Sequence, residues 1–107
     1  NGEIAIASVA WHELLFGMHR LPPSRRRTVV QAYLDEVVSA SMAILDYDAV
    51  AAEWHATQRA RLTAQGLTPP FPDAQIAAIA FVNDLTLVTF NDADFRRFEG
   101  LVVANWR

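Results

Sequence analysis

Glu13, Asp73, Asn91, Asp92 and Asp94 are the residues whose types and placement could do chemistry together. They come from three separate stretches of the chain. Carboxylates gathered in one place repel one another, and a divalent cation relieves that repulsion. Oxygen donors with open coordination positions suit Mg2+ or Mn2+. Such an ion can activate water and stabilise the charge that develops as a phosphodiester is cleaved. Taken singly, each residue has a plainer role. Asp73 is equally a helix cap, Glu13 a solvated helix residue, and Asp92 and Asp94 ordinary turn residues. The constellation carries the signal, not any one member.

For these residues to meet, the elements carrying them must converge. Ile4 to Val9 is short, apolar and without alternation, which predicts a buried strand. Ser8 is a candidate cap for a helix from about Val9 to His19, with Gly17 and Pro22-Pro23 marking its exit. Ser24 is placed to cap a helix over 25–39, where Val29, Val30, Tyr33, Leu34 and Val37 make one apolar stripe. Met42 to Leu45 predicts a second strand. Asp46 or Asp48 opens a helix over 49–65, with Val50, Trp54 and Leu62 turned inward and Gly66 as its stop. The prolines at 69, 70 and 72 exclude helix from that segment. Asp73 then caps a helix through Val82 that is apolar nearly all round, hence buried. Leu85 to Phe90 is a third strand, Asn91 to Asp94 a turn, Phe95 to Phe98 a helical turn and Leu101 to Val103 a last strand. Strands alternating with helices predict an α/β domain with a mostly parallel sheet. In such sheets, sites form beyond the carboxyl ends of the strands, where the candidate acids fall.

The 107 residues suit one domain, and 52% hydrophobic with 20% charged is a globular balance. There is no cysteine, so disulfides and thiolate metal sites are excluded and a cytoplasmic location is compatible. No apolar run is long enough for a membrane helix. A net charge of −3 argues against coating nucleic acid by bulk charge. All nine basic residues are arginine, clustered at 25–27, 59 with 61, and 96–97. These are either solvated helix faces or planar forks suited to phosphate. His12, His19 and His55 have no partner at metal-binding spacing, and no Gly-rich phosphate loop or nucleophile elbow is present. Trp11, Trp54 and Trp106 are read as core or interface residues.

Four segments resemble the PIN-domain nucleases, in particular the toxins of the VapC and FitB kind. Ser8-Val9-Ala10-Trp11-His12-Glu13-Leu14-Leu15-Phe16-Gly17 is similar to their "S-V-T-x-x-E-L-x-x-G" segment, with Ala10 in place of a common threonine. Asp73-Ala74-Gln75-Ile76-Ala77-Ala78-Ile79-Ala80 resembles "D-x-x-I-A-A-x-A". Leu87 to Phe95 resembles "L-V-T-x-N-x-x-D-F", and Leu101 to Trp106 also matches. The resemblance implies a Mg2+- or Mn2+-dependent endoribonuclease, silenced by a cognate antitoxin, often a homodimer, and reaching DNA through the antitoxin complex. It implies that Glu13 and Asp73 are metal ligands. Many relatives carry Asp where this chain has Asn91. Asp94 matches the family's later acid, Asp92 is a local extra, and Thr89 is a supporting hydroxyl. The alternative is a non-catalytic module of this fold that binds nucleic acid or a partner protein.

The family pattern begins with a strand ending in "L-D-T-N", whose Asp is a principal ligand, and no such segment stands in this sequence. The expectation is a single PIN-like domain over 1–107 that is incomplete at its N-terminus and lacks a central strand. On that expectation these residues alone do not cut RNA. Unpaired backbone along the neighbouring strands would be its structural cost.

Overall fold

The computed structural model describes residues 5–39, 42–89 and 92–105. Among them the chain runs β1 (Ala5–Ala7), α1 (Ser8–Arg20), α2 (Arg25–Tyr33), a π-helical turn (Leu34–Ser39), β2 (Ala43–Leu45), α3 (Ala49–Ala64), α4 (Phe71–Val82), β3 (Leu87–Thr89), α5 (Asp92–Phe95) and β4 (Val103–Asn105). The alternation of strands and helices is as expected. Every described strand pairing is parallel: β1 with β2, Ile6 opposite Ile44, and β3 with β4, Val88 opposite Ala104. These are two separate two-stranded sheets. The contacts divide the chain into two units, Asn1–Asp46 and Tyr47–Arg107.

The first unit closes on Met18, Leu34 and Val38, with Ile6, Trp11, Leu15, Val30 and Met42 packed around them. Ser24 caps α2 as expected, its Oγ accepting from the Arg27 backbone N–H at 3.2 Å. The apolar stripe of this region is only half buried. Val29 and Tyr33 are 61% and 56% exposed, because the helix widens into the π turn at Leu34 and the inward face passes to Leu34 and Val38. At α1, Ser8 lies inside the helix rather than capping it, and Gly17 does not end it.

The second unit is organised by α3 and α4, which make the most extensive helix contact among the described residues. Ala74, Ala77 and Ala78 have no exposed surface, and Leu62 has almost none. A helix face of alanines lets its neighbour approach closely, so apolar area is buried without large side chains. Trp54 stacks on Phe81 with ring centroids 4.6 Å apart. Such an aromatic pair adds about 1 kcal/mol beyond its buried area. Val50, expected inward, is 60% exposed.

The prolines do not exclude helix as expected. α4 starts at Phe71 with Pro70 as its N-cap residue and Pro72 in its first turn. A proline there lacks only an N–H that has no intrahelical partner in any case. Asp48 caps α3, accepting from the Ala51 N–H at 2.9 Å. Both long helices end alike. Leu67 N–H reaches back to Leu62 O around Gly66 (φ 75°), and Leu85 N–H reaches Ala80 O around Asp84 (φ 56°). Aspartate tolerates this left-handed conformation better than most side chains.

His55 is buried, 3% exposed, between Tyr47 and Phe71. Its Nδ1 shares a 2.7 Å hydrogen bond with the Tyr47 hydroxyl, while Nε2 is buried without a described partner. Burial, and then the neighbouring Arg59, push its pKa below the ordinary value. A depressed base gives stability that is present above its unfolded pKa and lost as the pH falls through its folded pKa. Wild-type protein is therefore expected to lose thermal stability on acidification below about pH 6.5. A His55→Gln variant should show a flatter profile there by circular dichroism, and an unchanged profile would contradict the assignment.

The glycines at helix and loop ends give a second test. At Gly66 (φ 75°) an added Cβ meets open space, whereas at Gly100 (φ 78°) it would lie 2.8 Å from Phe81 Cε1. Gly66→Ala should cost about 1 kcal/mol for the backbone conformation alone. Gly100→Ala should cost about 2 kcal/mol or more, since the Phe81 ring must also leave its stack on Trp54. Urea denaturation would measure both, and equal losses would rule out the ring contact as the cause.

Candidate functional site

Asp73 sits in the first turn of α4, partly buried, directly before the fully buried Ala74. It is the third residue of the helix, not its cap as expected. The chain enters α4 two residues earlier because Phe71 and Pro72 are accommodated in the first turn. β3 ends at Thr89, which is partly buried, and α5 follows at once. The helical turn expected at Phe95 to Phe98 is α5 itself, Asp92–Phe95, so Asp94 lies on a helix rather than in a turn. Phe95 and Phe98 are its anchors, both buried in one core with Leu62, Ala74 and Ala77.

This packing brings Asp73 and Asp94 together. Burial, and then the charge of Asp94, hold the Asp73 carboxyl above its ordinary pKa. Both causes disfavour the carboxylate, which is the signature of two acids sharing a site. A hard divalent cation fits this donor set, since it would reverse the sign of the repulsion.

The other expected residues are placed as follows. Glu13 lies exposed on α1 in the first unit, six residues after β1 ends. Asp92 opens α5, its side chain outside the described residues, and Asn91 lies outside them altogether, as does Trp106. Among the described residues, no three His, Asp or Glu side chains gather closely enough to hold a metal ion.

Several arginines are committed to the fold. Arg27 reaches the Leu21 carbonyl and His19, and Arg59 lies 5.2 Å from the Phe71 ring centroid. Arg61 joins Gln58, the Arg97 carbonyl and Glu99. Arg25, Arg26, Arg96 and Arg97 are exposed. The sequence reading missed Gln58. Its signal is a polar residue three positions before Arg61, so that the two share one face of a helix whose neighbouring face is apolar.

Parallel strand pairs alternating with helices place the chain in the α/β class. The PIN domain family model matches residues 1–101, and the chain belongs to that family. It is 32% identical over 106 residues to "Ribonuclease VapC2" of Rickettsia felis, covering 99% of this chain and 76% of the relative. It is 35% identical over 108 residues to "tRNA(fMet)-specific endonuclease VapC" of Shigella flexneri, covering 99% and 77%. Among solved structures it matches VapBC2 from Rickettsia felis bound to a promoter DNA fragment. The TM-score is 0.85 at 30% identity, over 98% of this chain and 76% of that one. No helix among the described residues is long and apolar enough to cross a membrane.

The Asp73 environment sets a pH test. An acid whose pKa is raised on folding stabilises the folded state below its unfolded pKa and loses that contribution as the pH rises through the folded value. Without added metal, Asp73→Asn should therefore raise Tm near neutral pH, and the gain should vanish below about pH 4. A Tm that falls at neutral pH would overturn the raised pKa.

Proposed function

We propose that this protein is a metal-dependent endoribonuclease toxin of a toxin–antitoxin pair, with Asp73 and Asp94 at the centre of its metal site. The observation that carries the reading is that Asp73 and Asp94 each adjoin a residue of one core, Ala74 and Phe95, with the charge of Asp94 among the causes that disfavour the Asp73 anion. The ribonuclease and endonuclease names of the relatives support the reaction class. Glu13 joins the reading through the resemblance of the Ser8–Gly17 segment and its place on the helix that follows β1.

Mg2+ or Mn2+, when bound, would supply electrostatic stabilisation of a cleaving phosphodiester. The protein's part is to present hard oxygen atoms and hold them still. Asp73 is held by the buried Ala74 that follows it on α4, and Asp94 by the core anchor Phe95 next to it. Thr89 closes β3 three residues before α5 begins, and its hydroxyl would support the acids. RNA is the proposed substrate. A cognate antitoxin is the proposed partner and the route to DNA, in line with the VapBC2 complex on promoter DNA. The protein is proposed to work as a homodimer in the cytoplasm.

A specific observation favours a second, non-catalytic reading: Asn91 stands where many members of the family carry Asp. One experiment separates the two. Cleavage of an RNA pool is compared with and without Mg2+ for the full-length protein and its Asp73→Ala variant. The toxin reading expects cleavage that needs the metal and falls by about two orders of magnitude or more in the variant. Equal cleavage by both proteins would remove Asp73 from the site. No cleavage by either, with nucleic acid still retained in a gel-shift assay, would favour the binding module.

A further inference from the structure

The turn that follows α5 is gripped by two side chains of α3. Gln58 is buried, 5% exposed, and its Oε1 accepts the Glu99 backbone N–H at 3.1 Å. The same oxygen accepts from Arg61 Nη2 at 2.7 Å. That nitrogen also donates to the Arg97 carbonyl oxygen at 2.6 Å. One donor and one acceptor of the 97–99 backbone are thus both held by a single helix turn. Arg61 Nε also lies 3.3 Å from Glu99 Oε1, but it is buried without a hydrogen-bond partner among the described residues, and with Glu99 69% exposed such a pair contributes little.

Burying an amide and part of a guanidinium is costly unless every bond is made, and an apolar pair would serve stability as well. What hydrogen bonds add is direction. Phe95 and Phe98 seat the segment in the core, but aromatic packing alone leaves it free to rock about its own axis. The bonds from Gln58 and Arg61 remove that freedom. Asp94 immediately precedes Phe95, and Asp73 immediately precedes Ala74 in the same core. α3 therefore underlies both acids, through packing on one side and through the clamp on the other.

We infer that Gln58 and Arg61 are positioning residues that set the spacing between Asp94 and Asp73, and through it the affinity of that pair for a divalent cation. The inference rests on the metal reading above.

The test follows Mn2+ binding, read as free ion by electron paramagnetic resonance, at temperatures where circular dichroism shows each protein folded. Asp73→Ala, Asp94→Asn, Gln58→Met and Arg61→Met should each weaken affinity, the last two by about ten-fold, as for residues supporting a ligand. Arg61→Lys keeps a donor for the Arg97 carbonyl and should recover most of the loss. Adding Arg61→Met to Asp94→Asn should weaken binding no further, because the clamp acts through Asp94. Wild-type affinity in Arg61→Met, or losses that multiply in the double variant, would overturn the clamp while leaving the metal reading standing. Unchanged affinity in Asp73→Ala and Asp94→Asn would instead fell the metal reading, and the clamp with it. Should Gln58→Met fail to fold, the Arg61 series decides alone.

Discussion

Close approach of α4 to α3 is the constraint from which the second unit follows. It is possible because Ala74, Ala77 and Ala78 carry nothing beyond Cβ and are wholly buried. Leu62 then fills the space between the helices, with Phe95 and Phe98 brought in from the segment after β3. Helix packing usually sets spacing through large interlocking side chains. Here much of the bulk comes from the partner elements, so the position of α4 depends on what α3 and α5 present to it. Asp73, in the first turn of that helix, inherits that rigidity.

The rigidity has an electrostatic cost. Folding moves Asp73 out of part of its water and towards Asp94, and both changes disfavour its ionised form. A protein optimised only for stability would not bring two carboxylates together at this point. The fold holds them there through the apolar core beneath them, so packing energy offsets local repulsion. At this point consistency between local preference and global fold is given up.

Much of this was legible in the sequence, for identifiable reasons. Ser24, Asp48 and Gly66 act as the helix signals they look like, because capping depends on a few adjacent atoms. The alternation of elements was legible from hydrophobic pattern, as was the burial of the Ala74–Ala80 face. The boundary at α4 was not, because proline forbids helix only beyond the first turn. Val29, Tyr33 and Val50 were assigned inward on periodicity, which identifies a face but not what covers it. For the candidate site, residue type singles out Glu13, Asp73, Asn91, Asp92 and Asp94, of which the structure brings Asp73 and Asp94 near each other. Their proximity is a tertiary fact, made by Phe95 and Ala74 meeting in one core. The left-handed Asp84 was equally hidden, since glycine is the residue that announces such a turn.

The arginines show where residue type misleads most. A chain whose basic residues are all arginine, with relatives that cut RNA, invites a reading of every cluster as a phosphate contact. Arg61 instead spends its fork on an amide oxygen and a backbone carbonyl, and Arg59 lies over an aromatic ring. Arg27 turns back to its own loop. The planar guanidinium suits phosphate because it offers several fixed donors, and for that same reason it suits the bracing of a backbone turn. Arg59 is exposed, as are Arg25, Arg26 and Arg97, so neither residue type nor exposure separates the two uses, and only the contacts do. Within the second unit those contacts put the bracing on α3, where Arg61 holds the Arg97 carbonyl and shares Gln58 Oε1 with the Glu99 backbone N–H.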